Sequence, residues 1–208
     1  MKLIFATGNK GKIREAAEIL GSRFELASPV QFGITEDIPE TGHSLLENSL
    51  QNADYVYERT GMNCFADDTG LEVEALGGAP GVYSARYAGP GHDNAANIQK
   101  LLSELSGCGS GVSRKARFRT VVTLIVDGEK HFFEGVLEGS IALSKAGCGG
   151  FGYDPVFVPD ESELVKAALD LPADGRMTLA ELPEEAKNAI SHRGKAVRAM
   201  AEWLKAEA

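Results

Sequence analysis

The sequence predicts an α/β protein whose strands form a mixed sheet. The chain opens with an apolar strand at residues 2–7, followed by a glycine-containing turn and a helical pattern. A second helical stripe of apolar residues falls at 97–105. The strongest strand signal, at 116–126, is followed by the hairpin sequence Asp127-Gly128 and by a returning strand at 130–137. Strands that alternate with helices and then pair as a long hairpin favour this fold class.

The composition is typical of a globular enzyme that forms one domain. The chain has 208 residues, of which 43% are hydrophobic and 25% are charged. This length is sufficient for a single core or for one domain with two lobes. The net charge of -9 argues against a nucleic-acid polymer as partner, because such binding usually needs a broad basic surface. A small anion held by a few local cations is compatible with it.

The cysteines and the hydropathy pattern predict the compartment. Cys64, Cys108 and Cys148 are scattered, odd in number and without CxxC spacing, so we expect neither a disulfide framework nor a zinc site. A reducing, cytoplasmic location fits them best. No apolar stretch approaches the length of a membrane span, so we expect no membrane partner.

The turn at residues 8–12 is the first candidate binding segment. Its sequence is Gly-Asn-Lys-Gly-Lys, and it leads into a helix that Gly21 is expected to end. A strand, a glycine turn and a helix direct backbone N–H groups at an anion, and lysines add positive charge. The sequence is neither a Walker A loop nor GxGxxG. A βα turn with solvated lysines is therefore an equally good interpretation.

A second helix is predicted to begin after Ser44. Ser44 and Glu47 have the spacing of a capping box. Asn48 and Asn52 share a polar face of this helix. Glu40, just before it, is either a metal carboxylate or an ordinary loop acid. The residues predicted to form the apolar face are Leu46, Leu50, Ala53 and Tyr57.

Two adjacent carboxylates, Asp67 and Asp68, follow the short apolar strand that includes Phe65, and a turn at Thr69-Gly70 is expected after them. Ending a strand on two acids is unfavourable, because the like charges repel and apolar packing is lost. A divalent cation such as Mg²⁺ offsets that cost, since it binds carboxylate oxygens and retains waters for phosphate substrates. The alternative is a surface Asp-Asp turn, which these residues alone favour.

The remaining predicted elements are short. Residues 24–28 predict a second strand, 71–76 predict a half-buried strand, and 178–189 predict a helix interrupted near Pro183. Ser191 is placed to cap a last helix. Its apolar stripe consists of Ala196, Val197, Met200 and Leu204.

A glycine-rich loop at residues 149–155 carries two aromatic side chains, Phe151 and Tyr153. Glycines allow sharp bends while the rings remain flat surfaces, which is a way to build a stacking platform for a base. The alternative is a glycine-rich bulge with aromatic rings in the core.

His192 and Arg193 stand at the predicted start of the last helix. Positive groups there oppose the helix dipole, which indicates that an anion or a hydrogen-bond acceptor lies opposite them. The alternative is a solvated helix start.

Taken together, these segments resemble the inosine triphosphatase family, also called non-canonical purine NTP pyrophosphatases or XTP/dITP diphosphatases. The motifs run in the family's order over nearly the whole chain, and seven in order are specific although each alone is weak. The matching segments are Thr7-Gly8-Asn9-Lys10-Gly11-Lys12, Pro39-Glu40-Thr41-Gly42, Glu47-Asn48, Asp67-Asp68-Thr69-Gly70-Leu71, Gly77-Gly78-Ala79-Pro80-Gly81, residues 149–155, and Lys187-Asn188-Ala189-Ile190-Ser191-His192-Arg193-Gly194.

The resemblance implies a two-lobed α/β fold around a long mixed sheet, with the active-site cleft between the lobes, and a homodimer. It also implies Mg²⁺-dependent cleavage of a small purine nucleoside triphosphate (ITP, dITP or XTP) to the monophosphate and pyrophosphate. One alternative is a pyrophosphatase for other modified nucleotides. Another is a catalytically silent nucleotide-binding protein.

The resemblance also assigns roles to residues. Asp68 is implied as the catalytic residue that activates water, and Glu40, Asp67 and Asp68 as the Mg²⁺ ligands. One departure is visible at Asn52, where family members commonly carry lysine. The residues implied to bind the substrate are Thr7, Gly8, Asn9, Lys10, Gly11, Lys12, Thr69, Phe151, Gly152, Tyr153, Asp154, Lys187, His192 and Arg193.

Overall fold

A computed structural model describes residues 1–36, 38–166 and 176–207. Six α-helices are described: α1 Lys10–Leu20, α2 Leu45–Thr60, α3 Asn94–Gly107, α4 Glu161–Lys166, α5 Glu184–Ile190 and α6 His192–Ala206. Seven strands are described: β1 Lys2–Phe5, β2 Glu25–Ala27, β3 Cys64–Val73, β4 Pro80–Gly81, β5 Lys115–Val126, β6 Glu129–Ile141 and β7 Phe157–Pro159.

The strands form one mixed sheet. Hydrogen-bonded neighbours follow the order β2-β1-β3-β5-β6-β7, and β4 pairs with β3. Strand β1 runs parallel to β2 and to β3, whereas β4 is antiparallel to β3 and β7 is antiparallel to β6. The predicted α/β fold class with a mixed sheet is confirmed.

The chain forms two compact units. The first comprises Met1–Asp68, Thr120–Gly135 and His192–Ala208, and the second comprises Thr69–Arg119 and Val136–Ser191. The expectation of a single domain with two lobes and a cleft stays a prediction.

Strand alternation gives the first unit two apolar layers. Leu3 and Phe5 of β1 pack with buried residues of α1 and α6, and the Phe5 ring stacks on Phe65 at 4.2 Å between centroids. Ile4 and Ala66, one residue along in each strand, pack instead with Ala53 and Val56 of α2. Successive strand residues point to opposite faces, so each face is covered by its own set of helices.

An apolar cluster of the second unit includes the buried face of α3. Ile98, Leu101 and Leu105 lie on its buried face, as the sequence predicts, and Leu102 is only partly buried. The buried ring of Phe157 on β7 belongs to the same cluster. A helix with one apolar stripe is stabilised mainly by burying that stripe, at about 25 cal/mol per Å² of apolar surface.

Strand β3 corrects one expectation. The sequence predicted that the strand stops at Asp67 and Asp68, but β3 continues through both acids to Val73. Residues 74–76, predicted as strand, form a 3-10 turn instead. The acids are tolerated inside the strand because their carboxylates accept hydrogen bonds from other side chains.

The buried face of helix α2 differs in part from the predicted one. Ala53 is buried as predicted, but Leu45 and Val56 are buried as well, and Leu46 is exposed. Asn48 and Asn52, expected on a polar face, are buried as well. Amide side chains enter a core when they are hydrogen-bonded, and a pattern that counts only apolar residues does not detect such a face.

Other boundaries differ by a turn or less. Helix α1 begins at Lys10 rather than near Ile13, because Asn9 is its N-cap, and Gly21 ends it as predicted. The hairpin at Asp127-Gly128 is confirmed, with φ of 50° and 86°, the left-handed values that a type I′ turn requires. Helix α5 begins only at Glu184, because Pro183 precedes it.

Candidate functional site

The adjacent acids Asp67 and Asp68 point to opposite faces of β3. Phe65 packs with α1 and α6, and Ala66 packs with α2. Alternation therefore directs Asp67 towards α1 and α6, and Asp68 towards α2. Their side-chain contacts agree with this assignment, since Asp67 contacts Lys12 and Asp68 contacts Asn48.

Asp67 lies at the centre of a buried ion-pair network. Lys12 Nζ donates to its Oδ1 at 2.8 Å, and Arg193 Nε donates to its Oδ2 at 2.8 Å. Arg193 also pairs with Glu15 on α1, and its Nη1 lies 2.8 Å from Glu15 Oε2. Asp67 is only 4% exposed. The network therefore joins α1, β3 and α6 through desolvated charges.

Burial and pairing act in opposite directions on these groups. Burial alone would raise the pKa of Asp67, but the charges of Lys12 and Arg193 and their hydrogen bonds outweigh it and lower that pKa below its usual range. Burial would lower the pKa of Arg193, but Asp67 and Glu15 raise it overall. Both groups are therefore fully charged at neutral pH.

Asp68 is held from the side of α2. Asn48 Nδ2 donates to Asp68 Oδ2 at 3.0 Å. The other end of the same amide accepts a hydrogen bond, from Gly42 N to Asn48 Oδ1, at 2.9 Å. Asn48 is fully buried, and Asp68 is half-buried. The side chain of Asn48 thus orients the catalytic candidate from the side of α2.

Glu40 lies in an exposed loop that α2 also holds. Asn52 Nδ2 donates to Glu40 Oε1 at 3.2 Å. Asn52 is 6% exposed, and its Oδ1 accepts no hydrogen bond from the described residues. Because Nδ2 is directed at an acceptor-only carboxylate, the amide presents its oxygen, not a donor, at its other end.

Two carboxylates, Asp68 and Glu40, could serve as ligands of Mg²⁺, and this metal role stays a prediction. Within residues 1–36, 38–166 and 176–207, no three His, Cys, Asp or Glu side chains form a group that could hold a metal ion. Mg²⁺ does not need such a group, since one or two carboxylates, waters and substrate phosphates complete its shell. Asp68 and Glu40 are the candidates, and each accepts a hydrogen bond from an amide side chain of α2. For Asp67, both of whose oxygens accept from cations, the metal role stays a prediction.

The predicted phosphate turn forms the N-terminus of α1. Asn9 Oδ1 accepts from Gly11 N at 2.9 Å and from Lys12 N at 3.2 Å, and Thr7 Oγ1 accepts from Asn9 N at 3.2 Å. The backbone amides of Gly11 and Lys12, in the turn predicted to bind phosphate, thus donate to the N-cap residue Asn9. Lys10 is exposed, as is Gly8, while Lys12 turns to Asp67. Phosphate binding by this turn stays a prediction.

His192 starts α6 and is buried against β5. Thr120 Oγ1 lies 2.6 Å from its Nδ1. Gly135 of β6 makes this close approach possible, because a Cβ there would clash with the backbone oxygen of His192. A partner on Nδ1 fixes the orientation of the imidazole ring.

In the second unit, the glycine loop surrounds Phe151. This residue is 55% exposed, and Lys187 Nζ lies 4.7 Å from the ring centroid. Asp154 Oδ2 accepts from Lys187 Nζ at 2.6 Å and from Phe151 N at 2.7 Å. Gly150, with φ of 73°, is required because a Cβ there would clash with Asp154.

The other members of this loop are placed differently. Tyr153 is buried in the core and donates from its hydroxyl to Ser84 O at 2.8 Å, so its ring is a core aromatic. Gly152 of the same loop has φ of 60°. Thr69, which lies outside the loop on β3, is half-buried. Phe151 is thus the ring with an exposed surface for stacking.

Three partners of the predicted residues were not found from the sequence. Glu15 had a signal, since it follows Lys12 by three positions on one helix and so shares its face. Asn48 was part of a matching motif but received no role. Thr120 had no signal, because it is 72 positions from His192 in sequence.

Comparison with known proteins identifies the family. A model of the Ham1 family matches residues 3–203. The chain belongs to the Ham1 family. The resemblance stated from the sequence motifs is therefore confirmed, and it extends over nearly the whole chain.

Relatives in the Ham1 family are similar over their full length. The dITP/XTP pyrophosphatase of Porphyromonas gingivalis is 50% identical over 203 residues, which cover 98% of this chain and 97% of that protein. The dITP/XTP pyrophosphatase of Bacillus subtilis is 42% identical over 205 residues, covering 98% and 96%.

Solved structures of Ham1 proteins share the fold. The HAM1 protein from Coxiella burnetii matches with a TM-score of 0.85 and 36% identity, over 100% of both chains. The nucleoside-triphosphatase, or dITP/XTP pyrophosphatase, of Mycobacterium abscessus matches with a TM-score of 0.74 and 41% identity, over 96% of this chain and 98% of that one. Among the described helices, none is both long and apolar enough to cross a membrane.

Proposed function

We propose that this chain is a Mg²⁺-dependent pyrophosphatase that hydrolyses dITP, ITP and XTP to the nucleoside monophosphate and pyrophosphate. The observation that carries the proposal is Asp68, a half-buried carboxylate that the buried amide of Asn48 holds in place. Relatives at 42–50% identity bear the name dITP/XTP pyrophosphatase, which supports the same activity.

The proposed chemistry assigns separate roles to the carboxylates of Asp68 and Glu40, to Mg²⁺ and to Lys12. When bound, Mg²⁺ would neutralise phosphate oxygens and lower the pKa of a bound water. Asp68 and Glu40 would provide its protein oxygens, and Asp68 would accept the proton of the attacking water. Lys12 is partly exposed, with 22% of its side chain accessible, so its ammonium also suits the leaving pyrophosphate.

Base selection is assigned to the platform in the second unit. Phe151 offers a face for purine stacking, and Lys187 is a donor beside it. Hypoxanthine and xanthine present a keto acceptor at position 6, where adenine presents an amino donor. A donor at that position is left unpaired by adenine, and such mismatches can discriminate by ~10⁴ or more.

The test is a panel of ITP, dITP, XTP, ATP and GTP with Mg²⁺, in which pyrophosphate and orthophosphate are measured separately. We expect pyrophosphate from the first three and rates at least about tenfold lower on ATP. Release of orthophosphate alone, or equal rates on ATP, overturns the proposal. Adding methylated and modified pyrimidine nucleotides tests the alternative substrate class. Binding without turnover would indicate a silent nucleotide-binding protein.

We also propose that the chain acts as a homodimer, on the strength of the family resemblance. Light scattering coupled to gel filtration should give twice the mass of the 22.1 kDa chain at micromolar concentration. A mass of one chain at that concentration contradicts the homodimer.

The cytoplasmic location stays a prediction.

A further inference from the structure

Four side chains of helix α2 form hydrogen bonds with the loop at residues 40–43, which precedes the helix. Glu47 Oε2 accepts from His43 N at 2.6 Å, and Asn48 Oδ1 accepts from Gly42 N at 2.9 Å. Gln51 Oε1 accepts from both Thr41 N, at 3.1 Å, and Thr41 Oγ1, at 3.2 Å. The next residue, Asn52, lies one turn after Asn48, and its Nδ2 donates to Glu40 Oε1. The loop and the helix therefore run antiparallel, each loop residue matched to one helix residue.

Asn48 also contacts β3. Its amide is used at both ends, with Oδ1 on Gly42 N and Nδ2 on Asp68 Oδ2. It is fully buried, so a lost partner at either end is not replaced by bulk water. The amide therefore joins the loop that carries Glu40 to the carboxylate of Asp68.

The absence of a side chain at Gly42 permits its contact with Asn48. A Cβ there would lie 2.7 Å from Asn48 Oδ1 and 2.7 Å from Glu47 Cβ. The amide of residue 42 thus reaches Asn48 only because this position has no side chain. Close backbone approach, rather than an unusual φ, explains the glycine.

We propose that Asn48 is a positioning residue that sets the separation of Glu40 and Asp68, and hence the carboxylate pair that receives the metal. The inference rests on the proposed function, because it assigns those two carboxylates to Mg²⁺. Asn48 is not itself proposed as a ligand of the substrate or the metal. It acts by fixing the Asp68 carboxylate and the backbone of the Glu40 loop in one frame, as groups behind metal ligands commonly do.

The test compares Asn48→Ala with Ser49→Ala. Ser49 is the next residue of α2 and is also fully buried. Its hydroxyl hydrogen-bonds to Thr123 Oγ1 at 2.8 Å and to Leu46 O at 3.1 Å, on partners that belong neither to the loop nor to Asp68. We expect Asn48→Ala to weaken Mn²⁺ binding, measured by loss of the free Mn²⁺ EPR signal, and to lower kcat, each by about 10–100-fold. Ser49→Ala should change both by less than about threefold, though it also lowers Tm.

Gly42→Ala tests the same contact from the loop side, with Gly91→Ala as control, since a Cβ at Gly91 meets nothing within 4 Å. Gly42→Ala should reproduce the weaker Mn²⁺ binding and the lower kcat, with KM for dITP changed less than kcat. Equal Mn²⁺ affinity in Asn48→Ala and Ser49→Ala, in an active wild-type background, overturns the inference. If the wild type itself releases no pyrophosphate, the proposed function fails instead. If Asn48→Ala does not fold, Gly42→Ala decides the matter.

Discussion

Arg193 and Asp67 form a buried ion pair, with Nε 2.8 Å from Oδ2, although 126 positions separate them in sequence. The pair brings the start of α6 to the middle of β3. Because Lys12 and Glu15 of α1 complete the network, the charge of Asp67 is balanced by neighbours on two helices. This balance explains why an acid is stable at that position of the strand.

The first prediction concerns Asp67→Asn. Removing this charge leaves Arg193 and Lys12 without their shared partner, so we expect a loss of about 3–5 kcal/mol in the free energy of unfolding. Urea denaturation followed by circular dichroism measures it. Asp54→Asn is the control, because it breaks a partly exposed pair with Lys130 at 2.7 Å and should cost about 1 kcal/mol or less. Similar small losses in both variants would contradict the structural role of Asp67.

The second prediction concerns Asp68→Asn. The amide is nearly isosteric and still accepts from Asn48, so Tm should change little. A carboxylate that accepts a proton becomes a neutral group, and we expect kcat for dITP to fall by at least about 10²-fold. Steady-state release of pyrophosphate gives the rate. Near wild-type turnover in a folded variant would assign the base elsewhere, with Asp67 as the next candidate.

The third prediction concerns Phe151→Ala. The ring is largely exposed, so Tm should change little, whereas KM for dITP should rise about tenfold or more, since base–aromatic stacking contributes ~1–3 kcal/mol. Phe132→Ala is a matched control, because Phe132 is 49% exposed on β6. Its KM should equal that of the wild type. An equal KM in both variants would exclude Phe151 from base binding.

The fourth prediction concerns Asn52→Lys. An ammonium at this position would add a positive charge where we expect the phosphates to bind, and it would replace a buried amide oxygen that accepts no hydrogen bond from the described residues. We expect KM for ITP to fall, or kcat to rise if the contact forms only in the transition state. The effect should shrink as salt increases, because the added interaction is electrostatic. Gln99→Lys, an exposed position on α3, controls for net charge. Unchanged kinetics at low salt would show that position 52 does not face the phosphates.

The fifth prediction concerns the thiols. Burial, with a smaller contribution from the charge of Asp54, raises the pKa of Cys64 to about 12, whereas Cys108 and Cys148 are exposed. The thiolate is the reactive form, so Cys64 should stay unmodified at pH 8. A disulfide reagent should titrate two thiols in the native protein and a third only in denaturant. Equal rates for all three thiols would contradict the burial of Cys64.

The interior of β3 shows what could be predicted for the candidate site. The sequence located Asp67 and Asp68 as chemically unusual, because charges next to an apolar strand stand out, whereas it left Glu40 as either a metal carboxylate or an ordinary loop acid. The residue pattern by itself did not separate the roles of the two aspartates, which only the family resemblance distinguished. Strand alternation assigns them to opposite faces, but only once the continuation of β3 to Val73 is known.

Local patterns determined most of the elements. Apolar periodicity located β1, β5 and α3, while Gly21 and the Asp127-Gly128 turn marked a helix end and a hairpin. These signals depend on residues within one or two turns of each other, and so the sequence alone reports them. The order of the motifs was enough to identify the family.

Only the tertiary structure decided which partners these residues meet. Asn48 was placed on a polar helix face, yet it is buried between Gly42 and Asp68, and Arg193 binds Asp67 across most of the chain. A buried polar group is stabilised by partners whose distance in sequence has no periodicity. Such pairs become fixed when strands and helices pack, because desolvation then makes every unpaired donor or charge costly.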